Sequence, residues 1–151
     1  MFHQQENKTK LRSMLKRIAK LPYRAEYWKE FEWSYLLLSS SYLERENFDL
    51  ALDLCKRCLF HNKSCVKAWE TMGMIMERKN NDANAIQCFR EVEKLNNQTT
   101  SLKTRARLAT LFFKTKQFSA AIGNCTEMLK QQPEGSQITS ILENCILSLR
   151  P

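Results

Sequence analysis

Six cysteines and two histidines are the side chains of this sequence that could carry chemistry. The cysteines stand at 55, 58, 65, 88, 125 and 145, and the histidines at 3 and 61. One stretch gathers Cys55-x2-Cys58-x2-His61-x3-Cys65, and thiolate and imidazole are zinc ligands. The spacing is not that of a standard finger or knuckle. Cys55 and Cys58 also lie three apart in an apolar helical pattern, where both can face a core as small hydrophobes. No metal and no cofactor are therefore expected, with Cys55, Cys58, His61 and Cys65 as the cluster to inspect. The N-terminus, MFHQQENKTK, lacks the apolar run of a signal peptide, so the thiols read as reduced and the chain as cytosolic. There is no phosphate loop and no nucleophile elbow. His61 falls in a turn and His3 near the terminus, poor places for an imidazole base. Catalysis and a small-molecule substrate are not expected.

The elements that hold these residues must be helices. A chain of 151 residues suffices for one sizeable core. Gly and Pro number only three each, which argues against a turn-rich β architecture. No apolar run approaches the roughly 20 residues of a membrane span, so no insertion is expected. The formal charge of +8 is uneven: residues 1–24 carry seven basic side chains against Glu6. Such a leader suits an acidic protein, an anionic membrane or nucleic acid, but the favoured reading is a solvated helix face. Aromatic residues do not interleave with the basic ones, and nucleic acid is not an expected partner.

An internal repeat organises the chain. Residues 32–65 align with 66–99 at a period of 34, the length of a tetratricopeptide repeat. In the first unit Tyr35, Leu38, Tyr42 and Ala51 occupy packing positions; in the second these are Trp69, Gly73, Ala85 and Phe89. A third unit, 102–135, supplies Leu108, Phe112, Ala121 and Pro133, after two extra residues near Thr100 and Ser101. Small residues let paired helices approach closely, and large ones fill the space between neighbours. One unit cannot bury its apolar face alone, so at least three must stack. Asn81 and Asp82 replace the usual small and aromatic turn residues of the second unit, which should weaken its turn.

The expected fold is all-α, an α-solenoid of helix-turn-helix repeats spanning 25–135. Helices are predicted at 26–45, 48–60, 66–79, 82–94, 102–115 and 118–131. Residues 1–24 form a basic N-terminal helix at 7–20, ended by Pro22 and reading as the remnant of an upstream repeat. Residues 136–151 form a C-terminal capping helix, with Ser136 as candidate N-cap and a stripe of Ile138, Ile141, Leu142, Cys145, Ile146 and Leu149.

In such repeats the first helix of each pair lines a groove for a peptide or partner helix. Those positions are Trp33, Leu36 and Ser40, then Lys67, Glu70 and Met74, then Lys103, Arg107 and Thr110. Trp33 and Leu36 have a second reading, packing against the N-terminal helix. A clamp for a C-terminal carboxylate is not expected. Lys103 and Arg107 are in place, but Leu36, Ser40 and Thr71 stand where orienting donors are needed.

The segments 31–43 (FEWSYLLLSSSYL), 54–78 (LCKRCLFHNKSCVKAWETMGMIMER), 107–129 (RLATLFFKTKQFSAAIGNCTEML) and 141–151 (ILENCILSLRP) carry a more specific likeness. The sequence resembles the C-terminal end of the tetratricopeptide repeat protein 21 family, the large repeat subunit of intraflagellar transport complex A. HNKSC-x-KA followed by MG-x-IME is its most specific stretch, and residues 80–101 depart from it. The resemblance implies a non-catalytic scaffold for other complex A subunits, acting in retrograde intraciliary transport, protein entry into cilia and cilium assembly. It implies a place at the axoneme and basal body. The alternative is a stand-alone adaptor for an acidic or amphipathic peptide outside cilia.

Overall fold

The computed structural model describes residues 2–96 and 101–149. Among them are eight α-helices: α1 (Phe2–Lys20), α2 (Trp28–Glu44), α3 (Phe48–His61), α4 (Val66–Arg78), α5 (Asp82–Asn96), α6 (Leu102–Lys114), α7 (Phe118–Gln131) and α8 (Ser136–Ser148). A single 3-10 turn, Ala25–Tyr27, leads into α2, where the periodicity predicted regular helix from residue 26. α1 starts earlier than the predicted residue 7. Residues 97–100, with most of the connection between the predicted helices 82–94 and 102–115 and the insertion near Thr100, lie outside the described residues, as do residues 150–151.

The chain divides into two compact units, Met1–Ile75 and Met76–Pro151, the division falling within α4. In the first, α2 and α3 pack as an antiparallel pair with α1 against α2. One core cluster gathers Leu15, Phe31, Tyr35, Leu38, Leu54 and Cys58. A second gathers Leu43, Ala51, Cys55 and Ile75. Of the apolar side chains that recur along α1, Leu15 is buried and Ile18 packs on the core, while Leu11 and Met14 stay exposed. In the second unit α6 and α7 pair and α8 packs on both. Ala109, Cys125, Met128 and Ile138 form a core cluster there, and Phe89, Leu108 and Phe112 are also buried. Each fully buried side chain of this size contributes about 1.5–3 kcal/mol.

Three residues with positive φ explain how α2 reverses into α3, α4 into α5 and α6 into α7. Glu46, Asn80 and Lys116 have φ of 61°, 60° and 61°. Each follows the end of a helix by two residues, and each helix end closes through the same two backbone bonds. Asn47 N–H donates to Tyr42 O at 2.9 Å and Glu46 N–H to Leu43 O at 3.0 Å. Asn81 pairs with Met76 and Asn80 with Glu77; Gln117 pairs with Phe112 and Lys116 with Phe113. This is the Schellman arrangement, which glycine usually serves. The second turn is therefore not weakened by Asn81 and Asp82, because backbone bonds close it and Asn80 tolerates the left-handed region.

The residues predicted to let helices approach are buried. Ala51, Ala85 and Ala121 are fully buried, as is Ala109 on α6. Gly73 is buried in α4, Trp69 is half-buried, and Pro133 is exposed in its turn. Ser39 takes the place of a smaller residue on α2. Its hydroxyl donates to Ala51 O at 2.9 Å, so the polar atom is satisfied inside the core. The cap of α8 is Gly135 rather than Ser136. Of the expected stripe, α8 buries Ile138 and Cys145, packs Ile141 and Leu142 partly on the core, and leaves Ile146 and Leu149 exposed.

Two substitutions test this packing in urea denaturation. Lys116→Gly removes a Cβ from a left-handed residue and should raise stability by about 1 kcal/mol. Ala51→Leu should lower it by about 1–3 kcal/mol, because no space exists for the added atoms. A destabilised glycine variant or a neutral leucine variant would contradict the turn or the close approach.

Candidate protein-binding surfaces

Residues spaced three and four apart on α2 put Trp33, Leu36 and Ser40 on one face. Trp33 is 53% exposed, a large aromatic left in solvent. Leu36 is half-buried against the cluster that contains Leu15. The two readings of this pair therefore divide: Leu36 packs on the core shared with α1, and Trp33 does not. Contacts from α1 reinforce that packing. Arg12 Nε donates to Ser41 Oγ at 3.1 Å, and Lys16 Nζ lies 5.8 Å from the centre of the Tyr42 ring. On α4, Lys67 is exposed, Glu70 half-buried, and Met74 packs beside Ile75. Thr71 is buried and donates to Lys67 O at 2.8 Å, so its hydroxyl offers nothing to a ligand.

In the second unit α6 presents Lys103, Arg107, Thr110 and Lys114 to a cavity of about 980 Å3. α8 supplies Gln137, Ser140 and Ile141 on its far side. Arg107 is not free for a ligand: its guanidinium meets Glu77 Oε2 at 3.2 Å. Burial pushes the Glu77 carboxyl above its ordinary range, against the opposing pull of Arg107 and Lys114. Its other oxygen, Oε1, is buried without a hydrogen-bond partner. Thr110 bonds back to Ala106 O. Among the described residues, Lys103 and Lys114 are the cationic groups facing the cavity that no ion pair engages.

The six cysteines are buried thiols. Burial lifts Cys88 and Cys125 to about 11. The predicted cluster is split by α3. Cys55 faces the cluster with Ile75 and contacts Ser39 Oγ at 3.1 Å. Cys58 faces the other side, where its thiol donates to Cys65 Sγ at 3.6 Å. That bond draws the Cys65 thiol below its ordinary range and, with burial, pushes Cys58 up. His61 stacks on Tyr23, ring centres 3.5 Å apart. Glu32 takes a place the sequence did not suggest: Oε1 accepts from Cys65 at 3.4 Å and Oε2 from Asn62 at 3.2 Å. Glu32 stands two residues after Glu30 in α2, and nothing in the spacing of the cysteines pointed to it. Among the described residues no helix is long and apolar enough to cross a membrane.

Comparisons with known proteins agree with this architecture. Residues 1–146 match the family model described as the tetratricopeptide repeat protein 21 C-terminal ARM domain. Tetratricopeptide repeat protein 21A of Homo sapiens is 38% identical over 143 residues, covering 94% of this chain and 11% of that protein. Tetratricopeptide repeat protein 21B of Homo sapiens is 39% identical over 141 residues, with 93% and 11% covered. The chain thus spans about one-ninth of the length of these relatives. Among solved structures, MamA superposes with a TM-score of 0.73 at 18% identity, over 80% of this chain and 65% of that one. The first tetratricopeptide domain of Spaghetti, bound to an HSP90 peptide, gives 0.70 at 15% identity, over 80% and 94%. These likenesses establish the fold, an all-α tetratricopeptide-type solenoid.

The raised Glu77 carboxyl has a consequence for stability. The folded chain holds this proton more tightly than the unfolded chain, so protonation favours folding. Above the ordinary value of 4.5, rising pH should therefore cost the native chain stability relative to Glu77→Gln. Urea midpoints of the two proteins measured across that range should diverge in the variant's favour, and parallel curves would contradict the assignment.

Proposed function

The chain belongs to the tetratricopeptide repeat protein 21 family, as its C-terminal domain, and from that membership we propose that it is a non-catalytic scaffold of intraflagellar transport complex A. In this reading it contributes to retrograde intraciliary transport and to delivery of proteins into cilia. The family match over residues 1–146 carries the proposal. Repeats at 32–65, 66–99 and 102–135 are its units, supported by left-handed turn residues at the same register position in each. Residues 136–151 act as the cap, and residues 1–24 as the helix that an upstream repeat would cover, consistent with the exposed Leu11 and Met14.

Each unit offers its own docking surface. In the first the anchor is Trp33, with Leu36, Ser40, Lys67, Glu70 and Met74 around it. In the second it is the cavity beside α6, with Lys103, Arg107 and Thr110. Exposed aromatics of this kind dominate binding energy in protein interfaces. A second reading rests on the cavity alone: Lys103 and Lys114 face it, which suits an acidic peptide and an adaptor working outside cilia.

Affinity capture of the tagged chain from ciliated cells, read by mass spectrometry, separates the two. Other complex A subunits should be recovered. Trp33→Ala should cut that recovery about tenfold while leaving the circular dichroism spectrum unchanged. A folded chain that captures none of those subunits contradicts the complex A role, and capture of acidic-motif proteins instead would favour the adaptor.

A further inference from the structure

Two thiols and a carboxylate converge in the Met1–Ile75 unit, where α2, the end of α3 and the start of α4 come together. Cys58 Sγ and Cys65 Sγ are 3.6 Å apart, and Cys65 Sγ lies 3.4 Å from Glu32 Oε1. All three ligand atoms fall within 4.8 Å of one another. Around a tetrahedral zinc ion, Zn–S of about 2.3 Å and Zn–O of about 2.0–2.2 Å give a sulfur–sulfur edge near 3.8 Å and a sulfur–oxygen edge near 3.5 Å. Two edges already have those dimensions, and the third, from Cys58 Sγ to Glu32, is no longer than 4.8 Å. Glu32 is only partly buried, and Cys65 and Asn62 hold its two carboxylate oxygens beside the buried thiols.

The surroundings fit a bound cation as well. Cys58 and Cys65 are shielded from solvent, yet a cavity of about 290 Å3 reaches the group, lined by Glu32, Cys58, His61 and Asn62. That cavity gives an entry path and room for a water ligand. Asn62 Nδ2 holds Glu32 Oε2 at 3.2 Å, the outer-sphere contact that orients a metal-binding carboxylate. The Ala68 backbone N–H bonds the Cys65 sulfur at the start of α4, where a thiolate is favoured. Cys55 is directed away to Ser39, and His61 is held in its stack on Tyr23, so neither belongs to the set.

We propose that Glu32, Cys58 and Cys65 bind one zinc ion, with water as the fourth ligand. Binding displaces the two thiol protons to solvent and forms two Zn–S bonds and one Zn–O bond. The ion ties α2 to the α3–α4 connection and clips one end of this unit. The assignment does not depend on the role in complex A.

The test uses the full 151-residue chain, reduced and metal-free, titrated with zinc against a chromophoric chelator and with cobalt(II). One equivalent should bind. Cobalt should give the visible bands of a tetrahedral site and a thiolate-to-metal charge-transfer band. The double variant Cys58→Ser with Cys65→Ser should lose both, and Glu32→Gln should weaken binding at least tenfold. Asn62→Ala should lower affinity about 10–100-fold. Cys55→Ser and His61→Ala should keep the full equivalent and the spectrum. Chelation should lower the Tm of the native chain but not of the double variant. If the double variant fails to fold, Glu32→Gln and the cobalt spectrum of the native chain decide. Binding of less than about one-tenth equivalent, with the thiols free or joined as a disulfide, overturns the site. So does stoichiometric metal that survives in the double variant.

Discussion

Three of the helix reversals run through one left-handed residue and two backbone hydrogen bonds, and the close pairing of α2 with α3 and of α6 with α7 depends on them. At Glu46, Asn80 and Lys116 the chain turns in the same way, closing onto Tyr42, Met76 and Phe112. The left-handed region costs a non-glycine residue about 1–2 kcal/mol. The two bonds offset that cost by satisfying carbonyls that a helix end would otherwise leave open. Once the turn is set, the returning helix must cross its partner at a fixed height. That is where Ala51 and Ala121 sit, fully buried. The same registration places Trp33, Lys67 and Lys103 at equal distances before their turns. The docking faces are thus set by the turn rather than by contacts of their own.

Much of this was legible in the sequence because it depends on residue size at fixed intervals. The buried alanines and the buried Tyr35, Leu38, Phe89, Leu108 and Phe112 follow from volume and period alone. The turn geometry was not legible, since Glu46 and Lys116 carry no glycine signal. The weak turn expected at Asn81 and Asp82 was an inference from side chains about a structure closed by backbone. α8 and α1 were half legible. Their stripes mark an apolar face: Leu15, Ile18, Ile138, Ile141, Leu142 and Cys145 find a covering partner, while Leu11, Met14, Ile146 and Leu149 do not.

The thiols show the same limit in a sharper form. Cys55 and Cys58, three apart, looked like one pair, yet α3 turns them toward different core clusters. Cys65 returns to Cys58 across the turn, and Glu32 arrives from another helix. Periodicity describes one helix at a time, so a site assembled from three segments leaves no trace in it. The binding faces suffer likewise. Residue positions identified Arg107, but only its ion pair with Glu77 reveals that its charge is already engaged. A scaffold role therefore rests on family membership and on exposed Trp33 and the lysines, rather than on a clamp-like constellation.

Amide hydrogen exchange followed by NMR tests the shared turn most directly, because it reads the outer closing bond of each turn itself. The N–H groups of Asn47, Asn81 and Gln117 lie just past helix ends, where fraying usually exposes amides. The account predicts that all three exchange far more slowly than an unstructured chain, each through its bond to Tyr42, Met76 or Phe112. Exchange of any of the three at the unstructured rate, in a chain otherwise folded, would contradict it.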